Sequence, residues 1–245
     1  METRRIINAL PLVVKKAAYR IYWKWINPFQ GSERYWRERY DLGGNSGYGS
    51  FNKLAEFKAE VVNGFIRERK ITSIVEYGCG DGNQLALGQY PQYIGFDISP
   101  TAISLCRKRF ADDRTKAFKL MHEYSGERAE LTLSLDVIYH LVEHDVFTEY
   151  MHRLFDSSDK FVIIYSSDFD KEPEDTAPHI RHRRFTRWVE DNKPEWELIR
   201  HIPNRYPLSV YPNDGSQADF YIYSKRESCP GDSIRRGTDD RTPAR

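Results

Sequence analysis

The chain has 245 residues, 40% of them hydrophobic, and a formal net charge of +1. This length predicts one α/β domain with a full core rather than two large domains. The near-zero charge gives no general attraction for nucleic acid, and we expect no nucleic-acid partner. Three cysteines without disulfide or zinc spacing favour a reducing cytoplasm, and no apolar run approaches the roughly 20 residues of a membrane span.

The first 50 residues are predicted to form a basic aromatic helix and a glycine-rich lid ahead of the main domain. Residues 1–28 carry six basic side chains and one acid, a net +5, and their second half contains Tyr19, Tyr22, Trp23 and Trp25. Such a segment fits either a helix lying on an anionic membrane surface or a helix packed on the core. Residues 41–50, DLGGNSGYGS, predict a flexible loop that is either a linker or a lid over a ligand.

Helices and strands alternate from residue 51 onwards, which predicts a mostly parallel sheet with helices on both faces. Ser99 followed by Pro100 is typical of a helix start. Helices are predicted over Phe51–Arg69, Gln84–Gln89, Pro100–Arg109 and Val137–Phe155, and strands over Ile71–Tyr77, Tyr93–Asp97, Phe118–Leu120, Leu131–Leu135 and Phe161–Tyr165. Trp196–Ile202 and Asp219–Ser224 predict a closing antiparallel pair, and residues 226–245 are expected to be a disordered tail.

The first strand runs into a glycine-rich turn, SIVEYGCGDGNQ at residues 73–84. Its glycines Gly78, Gly80 and Gly82 stand where parallel sheets bind ligands, and they let a backbone approach a ligand closely. Asp97, at the end of the second strand, has a side chain that can accept hydrogen bonds from both hydroxyls of a ribose. The pattern is G-x-G-x-G rather than G-x-G-x-x-G, so a nicotinamide-dependent oxidoreductase is an alternative with the wrong glycine spacing.

Four segments in this order resemble the class I S-adenosylmethionine-dependent methyltransferases. VEYGCGDG resembles their first motif, YIGFDIS their second, LTLSLDVIYHLVEHDVFTEYMHRLF their fourth strand with its helix, and KFVIIYSSD their fifth strand. The resemblance implies S-adenosyl-L-methionine as cofactor. It also implies a Rossmann-like α/β fold over residues 51–225, a three-layer sandwich whose seven-stranded, mostly parallel sheet has an antiparallel last strand.

A looser resemblance concerns the acceptor. YWRERYDLGGNSGYGS and HIRHRRFTRWVEDNKPEW are similar to bacterial methyltransferases of cell-surface glycan gene clusters. This similarity implies O-methylation of a sugar or surface-glycan precursor. A methyltransferase for another small molecule and a non-catalytic methyltransferase-like binding module are the alternatives. We expect a cytoplasmic protein, and the basic N-terminus adds the hypothesis of peripheral attachment at the inner membrane face.

The family resemblance also implies roles for individual residues. Glu76 would hold the amino end of the cofactor's methionine, above a backbone floor of Gly78, Cys79 and Gly80, and Asp97 would hold the ribose. The other residues expected around the cofactor are Tyr40, Ile98, Met121, His122, Leu135 and Asp136. The family often has an acid where Met121 and His122 fall, and this chain has none there.

A hydroxyl acceptor must lose a proton, so a histidine or carboxylate is expected near the transferred methyl group. His140, His179 and His182 are the predicted catalytic residues, with Glu143 and His144 as further candidates. Four arginines around the last two histidines suit an anionic acceptor or a solvated loop: Arg181, Arg183, Arg184 and Arg187.

A short zinc pattern also occurs in this region. His140-Leu-Val-Glu-His144 spells H-x-x-E-H, and residues four apart share one face of a helix. The pattern follows the fourth strand of a sheet that already carries a nucleotide-type motif. No metal is therefore predicted.

Overall fold

The computed structural model describes residues 29–171 and 177–226. Its helices are α1 Ser32–Asp41, α2 Asn52–Arg69, α3 Pro100–Arg109, α4 His144–Asp156 and α5 Phe185–Asn192. Its strands are β1 Ser73–Tyr77, β2 Gln92–Asp97, β3 Lys116–Leu120, β4 Ala129–Leu135, β5 Ser158–Ser166, β6 Trp196–Ile202 and β7 Asp219–Lys225. The predicted membrane-binding or packed helix within residues 1–28 lies outside the described residues, as does nearly all of the predicted tail.

The strands form one sheet in the order β3-β2-β1-β4-β5-β7-β6. The pairs from β3 to β5 are parallel, and β7 runs antiparallel between β5 and β6. This confirms the predicted seven-stranded sheet with an antiparallel last strand. The strand order reverses between β1 and β4, so the carboxyl ends of these strands flank the crevice where open sheets bind ligands.

Helices cover both faces of the sheet because its central strands are apolar on both sides. On one face α2 and α3 contribute Phe65 and Ile103 to a core that includes Ile74 of β1. On the other face α4 and α5 pack Met151 and Val189 into a second core. The result is the predicted three-layer sandwich. No helix in the described part of the chain is long and apolar enough to cross a membrane.

The helix predicted over Gln84–Gln89 is only a 3-10 turn, Leu85–Leu87. The side chain of Asn63 in α2 forms hydrogen bonds with the backbone groups that would otherwise extend this turn into a helix. Its amide donates to the carbonyl of Leu87 at 2.9 Å, and its side-chain oxygen accepts from the N–H of Gln89 at 2.8 Å. A tertiary contact thus replaces the next helical turn.

The helix predicted over Val137–Phe155 begins seven residues late, at His144. Asp136 adopts a left-handed backbone with φ 62°, which turns the chain away from β4. A 3-10 turn, Ile138–His140, follows it. Residues 137–143 are thereby left as a loop at the carboxyl end of the sheet.

Two helices occur where no helix was predicted. α1 fills most of the stretch between residues 1–28 and the glycine-rich loop at residues 41–50. α5 falls in the stretch read as a charged loop, and its Phe185 and Val189 are buried at the helical spacing of four residues. This apolar stripe was masked by the nearby Arg183, Arg184 and Arg187, because the helix has only about two turns.

Candidate cofactor and acceptor site

A cavity of about 700 Å³ lies at the carboxyl ends of the central strands, beneath α1. This volume is in the range of small-molecule and cofactor sites. Eleven of the fourteen predicted site residues line it: Tyr40, Glu76, Gly78, Cys79, Gly80, Asp97, Ile98, Met121, Leu135, Asp136 and His140. His122 is exposed in the turn after β3, and His179 and His182 stand behind the cavity wall. We call Glu76, Asp97 and the turn 78–82 the floor, and α1 with residues 42–50 the roof.

The floor is tied to the end of β2 through its own N–H groups. Those of Gly78 and Cys79 donate to the carbonyl of Phe96 at 2.7 and 3.0 Å, and that of Gly80 donates to Asp97 Oδ2 at 3.0 Å. These three N–H groups are therefore engaged within the protein. The turn offers a ligand a bare backbone surface, which β2 holds in place.

Floor and roof pack closely at Gly80. Its φ is +58°, and a Cβ there would lie 2.3 Å from Ser46 Oγ and 2.8 Å from Tyr40 Oη. Ser46 Oγ donates to Asp81 Oδ1 at 2.8 Å and accepts from the Asp81 N–H at 3.1 Å. The glycine-rich loop is thus hydrogen-bonded to the floor and lines the cavity, and glycine is required at residue 80, where the loop and the floor meet.

Asp97 is buried and keeps capacity for a ligand. Its Oδ2 accepts from Gly80 and its Oδ1 accepts from the N–H of Ser99 at 2.9 Å. Each carboxylate oxygen has a second lone pair and can therefore accept one further hydrogen bond, from a ligand. Burial raises the pKa of Asp97 to about 6, against the hydrogen bonds from Ser99 and Gly80, which lower it.

Glu76 is the second buried acid of the floor. The hydroxyl of Tyr93 donates to its Oε2 at 2.7 Å. Burial raises the pKa of Glu76 to about 7, although the Tyr93 hydrogen bond and the ammonium of Lys58 oppose the shift. A cation in the cavity would favour the ionised form of both acids.

A buried ion pair, Lys58 with Asp136, completes this part of the wall. Lys58 is 1% exposed and its Nζ contacts Asp136 Oδ2. Asp136 Oδ1 accepts from the hydroxyl of Tyr139 at 2.8 Å. Sequence reasoning missed Lys58, because one lysine on an otherwise apolar helix face carries no motif. Its position among the apolar residues of α2 was the available signal.

His140 is the one predicted catalytic histidine that lines the cavity. Its Nδ1 lies 3.1 Å from the carbonyl oxygen of His179, which can only accept. The neutral ring therefore carries its proton on Nδ1, and the lone pair is on Nε2. Burial lowers the pKa of His140 to about 4, so the neutral form prevails at physiological pH.

The other two predicted histidines support this wall from behind. The ring of His179 stacks between Tyr35 at 4.3 Å and His140 at 5.6 Å. Burial lowers its pKa to about 3. The Nδ1 of His182 lies 2.7 Å from Ser167 Oγ, and its ring stacks on Phe169. These contacts make both rings packing elements.

Glu143 fastens the start of the roof. Its Oε1 accepts from the N–H of Ser32 at 2.8 Å and its Oε2 accepts from Ser32 Oγ at 2.6 Å. Burial alone would raise the pKa of Glu143, but these hydrogen bonds hold it below its usual value. With both oxygens engaged, Glu143 is a tether for α1 rather than a free base.

The zinc geometry suggested by H-x-x-E-H does not form. His140 ends a 3-10 turn and His144 is the first residue of α4, so the two do not share a helix face. Within residues 29–171 and 177–226, no group of three or more His, Cys, Asp or Glu side chains could hold a metal ion.

Two of the four arginines expected to favour an anionic acceptor bind the main chain instead. Arg183 donates to the carbonyls of Leu141 and Val142, both at 2.6 Å, and Arg181 donates to that of Val142 at 3.2 Å. Arg187 pairs with Asp191 on the outer surface of α5. The guanidinium groups of Arg181 and Arg183 thus hold the loop after β4 in place beside His140.

The comparisons with known proteins agree with this geometry. Residues 75–163 match a family model described as a methyltransferase domain. The N-methyltransferase NodS from Bradyrhizobium japonicum WM9, solved with S-adenosylhomocysteine, is similar with a TM-score of 0.60 and 11% identity over 81% of this chain and 100% of that chain. No curated protein sequence matches significantly.

Further solved structures share the fold. Magnesium protoporphyrin IX methyltransferase from Synechocystis PCC 6803, with bound S-adenosylmethionine, has a TM-score of 0.57 and 11% identity over 81% of this chain and 99% of that one. The methyltransferase domain of bacterial CtHen1-C has a TM-score of 0.54 and 15% identity over 69% of this chain and 97% of that one.

The chain thus contains a class I S-adenosylmethionine-dependent methyltransferase domain, and S-adenosylmethionine is its cofactor. This assignment favours methyl transfer over the nicotinamide-dependent alternative. The small RNA methyltransferase HEN1 has the same fold, with a TM-score of 0.53 and 21% identity over 73% of this chain and 26% of that one. The fold alone therefore leaves the acceptor open, and the absence of a nucleic-acid partner stays a prediction.

Proposed function

We propose that this methyltransferase transfers a methyl group to a hydroxyl of a sugar or surface-glycan precursor, and that His140 accepts the proton from that hydroxyl. The observation that carries the proposal is the fixed tautomer of His140 in the cavity wall. Its Nδ1–H is engaged by the carbonyl of His179, so the lone pair on Nε2 is available as the acceptor.

The chain's own residues fit the cofactor. The cavity wall contains three buried or half-buried carboxyl groups, those of Glu76, Asp97 and Asp136. Lys58 contributes a single ammonium group, which pairs with Asp136. This excess of acid suits a ligand with a sulfonium and an ammonium group. When bound, S-adenosylmethionine supplies an electrophilic methyl group on its sulfonium. We propose that Asp97 holds the ribose hydroxyls and Glu76 the amino end.

The same charge balance favours a neutral acceptor. Each cation that lines the cavity is already paired with an acid: Lys58 with Asp136, Arg34 with Glu38, Arg37 with Glu33 and Arg153 with Glu149. A neutral polyhydroxylated ring meets no charge penalty here. Trp36 adds a flat apolar surface to the wall, with its ring edge-on to His140 at 4.8 Å. An aromatic face beside hydrogen-bonding groups suits a sugar, which has both apolar C–H and polar O–H surfaces.

The test is His140→Gln in the full-length protein. We expect kcat to fall about 100- to 10,000-fold, because proton transfer to a positioned base contributes that much. Binding of S-adenosylhomocysteine, measured by calorimetry, should change less than about twofold, since a lost proton acceptor does not alter ground-state cofactor binding. His144→Gln is the matched control, because His144 is exposed at the start of α4 and does not line the cavity.

The acceptor itself is found by screening nucleotide sugars, glycan extracts, other small hydroxylated molecules and RNA with methyl-labelled cofactor. Label in the sugar fractions supports the proposal, and label confined to RNA or to a nitrogen atom contradicts it. If wild-type protein binds S-adenosylhomocysteine but labels nothing, a non-catalytic binding module becomes the better interpretation.

A further inference from the structure

One buried side chain of the cavity wall has an oxygen atom without a hydrogen-bond partner. In the described part of the chain, five buried side-chain atoms lack such a partner: Gln84 Oε1, Tyr90 Oη, Thr148 Oγ1, Arg183 Nε and Tyr223 Oη. Gln84 is the member of this group that lines the cavity, and it is 7% exposed. Buried polar atoms normally have a partner, because burying one without a partner is costly. The oxygen of Gln84 thus indicates a ligand that donates a hydrogen bond.

The orientation of the Gln84 amide is fixed at its other end. Its Nε2 donates to the carbonyl of Ala55 at 3.1 Å. A carbonyl can only accept, so turning the amide over would place two acceptor oxygens against each other. The amide nitrogen therefore stays on α2, and Oε1 is the end left for a donor.

Lys58 lies on the same face of α2 as Ala55, three residues further along the helix. It also lines the cavity, and within residues 29–171 and 177–226 its Nζ has one hydrogen-bond acceptor, Asp136 Oδ2. The centroid of the Tyr165 ring lies 5.3 Å from Nζ and adds a cation–π contact. An ammonium group has three N–H donors, so the pair with Asp136 leaves donors for a second acceptor.

The amino-acid end of S-adenosylmethionine carries an ammonium group and a carboxylate, and the carboxylate needs a partner once it leaves water. Four cations line the cavity. The side chain of Lys58 is 1% exposed, whereas those of Arg34, Arg37 and Arg153 are 24% to 53% exposed and pair with acids four residues away on their own helices. Lys58 is thus the buried cation of the wall.

Lys58 is also near the acid proposed for the ammonium group. Burial raises the pKa of Glu76, and the ammonium of Lys58 is close enough to oppose that shift. A buried acid and a buried cation therefore lie side by side in the wall, with the free oxygen of Gln84 on the same helix face as the cation. This arrangement of opposite charges suits a zwitterion.

We propose that Gln84 and Lys58 bind the amino-acid end of the cofactor, with Gln84 Oε1 accepting from its ammonium group and Lys58 Nζ donating to its carboxylate. Glu76 keeps its proposed role, because an ammonium group has donors for two acceptors. Neither Gln84 nor Lys58 was predicted from the sequence to contact the cofactor. The proposal concerns the cofactor alone and is independent of the acceptor and of His140.

Three ligands separate the two contacts by calorimetry with the full-length protein. S-adenosylhomocysteine carries both groups, its decarboxylated form keeps the ammonium group alone, and 5′-methylthioadenosine has neither. We expect Gln84→Met to weaken binding of the first two ligands at least about tenfold, and Lys58→Gln to weaken binding of the first alone by a similar factor. Both variants should bind 5′-methylthioadenosine within about twofold of the wild type, since it makes neither contact.

The chain offers a matched control for each variant. Gln89→Met changes an exposed glutamine in the same segment, outside the cavity lining. Lys53→Gln changes another lysine of α2 that pairs with an acid, Asp214, and lies 4.2 Å from the centroid of a tyrosine ring, Tyr211, but does not line the cavity. Both controls should bind all three ligands as the wild type does.

The proposal is overturned if Gln84→Met and Lys58→Gln bind S-adenosylhomocysteine as tightly as the wild type. It is also overturned if each variant weakens all three ligands equally, because the two residues would then act on the folded state as a whole. If Lys58→Gln weakens the decarboxylated ligand as much as S-adenosylhomocysteine, Lys58 does not hold the carboxylate. Since every readout is binding, failure of the proposed methyl transfer to a sugar would leave these results unchanged.

Discussion

The floor and the roof of the cavity are built in different ways. The floor lies within a few residues of two adjacent strand ends, and the N–H groups of Gly78, Cys79 and Gly80 fix it to β2. The roof is a separate helix and loop, fastened at Ser32 by Glu143 and at Ser46 by Asp81. The floor is part of the sheet's own hydrogen bonding, whereas a few side-chain contacts determine where the roof sits. We therefore expect cofactor affinity to depend mainly on the floor and access mainly on the roof.

The largest expected effect comes from removing an acid of the floor, and we compare it with the removal of an acid of the roof. Asp97→Ala should weaken S-adenosylhomocysteine binding at least about 100-fold, because hydrogen bonds to an ionised group contribute about 1.5–3 kcal/mol each. Asp41→Ala, at the cavity's upper edge, should change it less than about threefold, since Asp41 is exposed and accepts from Thr101. Calorimetry measures both. Equal losses in the two variants would remove the distinction between floor and roof.

The next effect is at the contact between the two parts. Gly80→Ala puts a Cβ 2.3 Å from Ser46 Oγ and requires a left-handed alanine, so we expect a loss of about 2–3 kcal/mol in the free energy of unfolding. Ser46→Gly removes the clash but also the two hydrogen bonds to Asp81, so the informative quantity is the cost of Gly80→Ala in each background. We expect Gly80→Ala to cost less in the Ser46→Gly protein than in the wild type, because only the backbone strain and the contact with Tyr40 Oη are common to the two backgrounds. Urea denaturation of the four proteins checks this, and an equal cost in both backgrounds would show that Ser46 does not press on the floor.

The floor also predicts a pH dependence of cofactor binding. Burial raises the pKa of Asp97 to about 6 and that of Glu76 to about 7, so both lose protons as the pH rises through 6 and 7. A cationic cofactor favours the ionised acids, and we expect S-adenosylmethionine affinity to rise about tenfold from pH 5.5 to pH 8. Glu76→Gln should flatten the upper part of this rise. An affinity that falls over this range would contradict the prediction.

The stability of the cofactor-free protein should change in the opposite direction. A carboxyl whose pKa is raised in the folded state binds its proton more tightly there than in the unfolded chain. The contribution of Asp97 and Glu76 is therefore fully present below their unfolded pKa values, near 4, and is lost as the pH rises through 6 and 7. Thermal unfolding of wild type and Glu76→Gln across this range measures the contribution of Glu76.

These differences explain how far the sequence could be interpreted. The floor was predictable because its glycines and acids are close together in the chain and their spacing follows from strand-to-helix geometry. The roof was not, because Ser32 meets Glu143 and Ser46 meets Asp81 across long sequence separations. Lys58 illustrates the limit. It lies on a helix face that reads as core, and only the folded chain shows that Asp136 pairs with it.

The candidates for the catalytic base also show what could not be predicted from the sequence. Sequence alone offered His140, His179 and His182 as candidates, with His140 closest to a strand's carboxyl end, and did not single out one of them as the base. The structure separates them through tertiary contacts, with His179 stacked between two rings and His182 bonded to Ser167. The late start of α4 leaves His140 in the cavity wall. A left-handed Asp136 precedes that delay. Aspartate adopts this backbone more often than most residues, but such residues are uncommon, so the sequence did not indicate it at this position.

The smallest effect is expected at an exposed ion pair of the roof. Arg37 forms an exposed ion pair with Glu33 at 3.0 Å, four residues away on α1. Such pairs contribute about 0.3–0.5 kcal/mol to helix stability and are screened by salt. Arg37→Ala should thus leave the free energy of unfolding and the affinity for S-adenosylhomocysteine nearly unchanged. Because Arg37 also lines the cavity, the KM for the acceptor is the informative measurement. An increase in that KM with constant kcat would show that the roof recognises the acceptor, and an unchanged KM would limit the roof to closing the site.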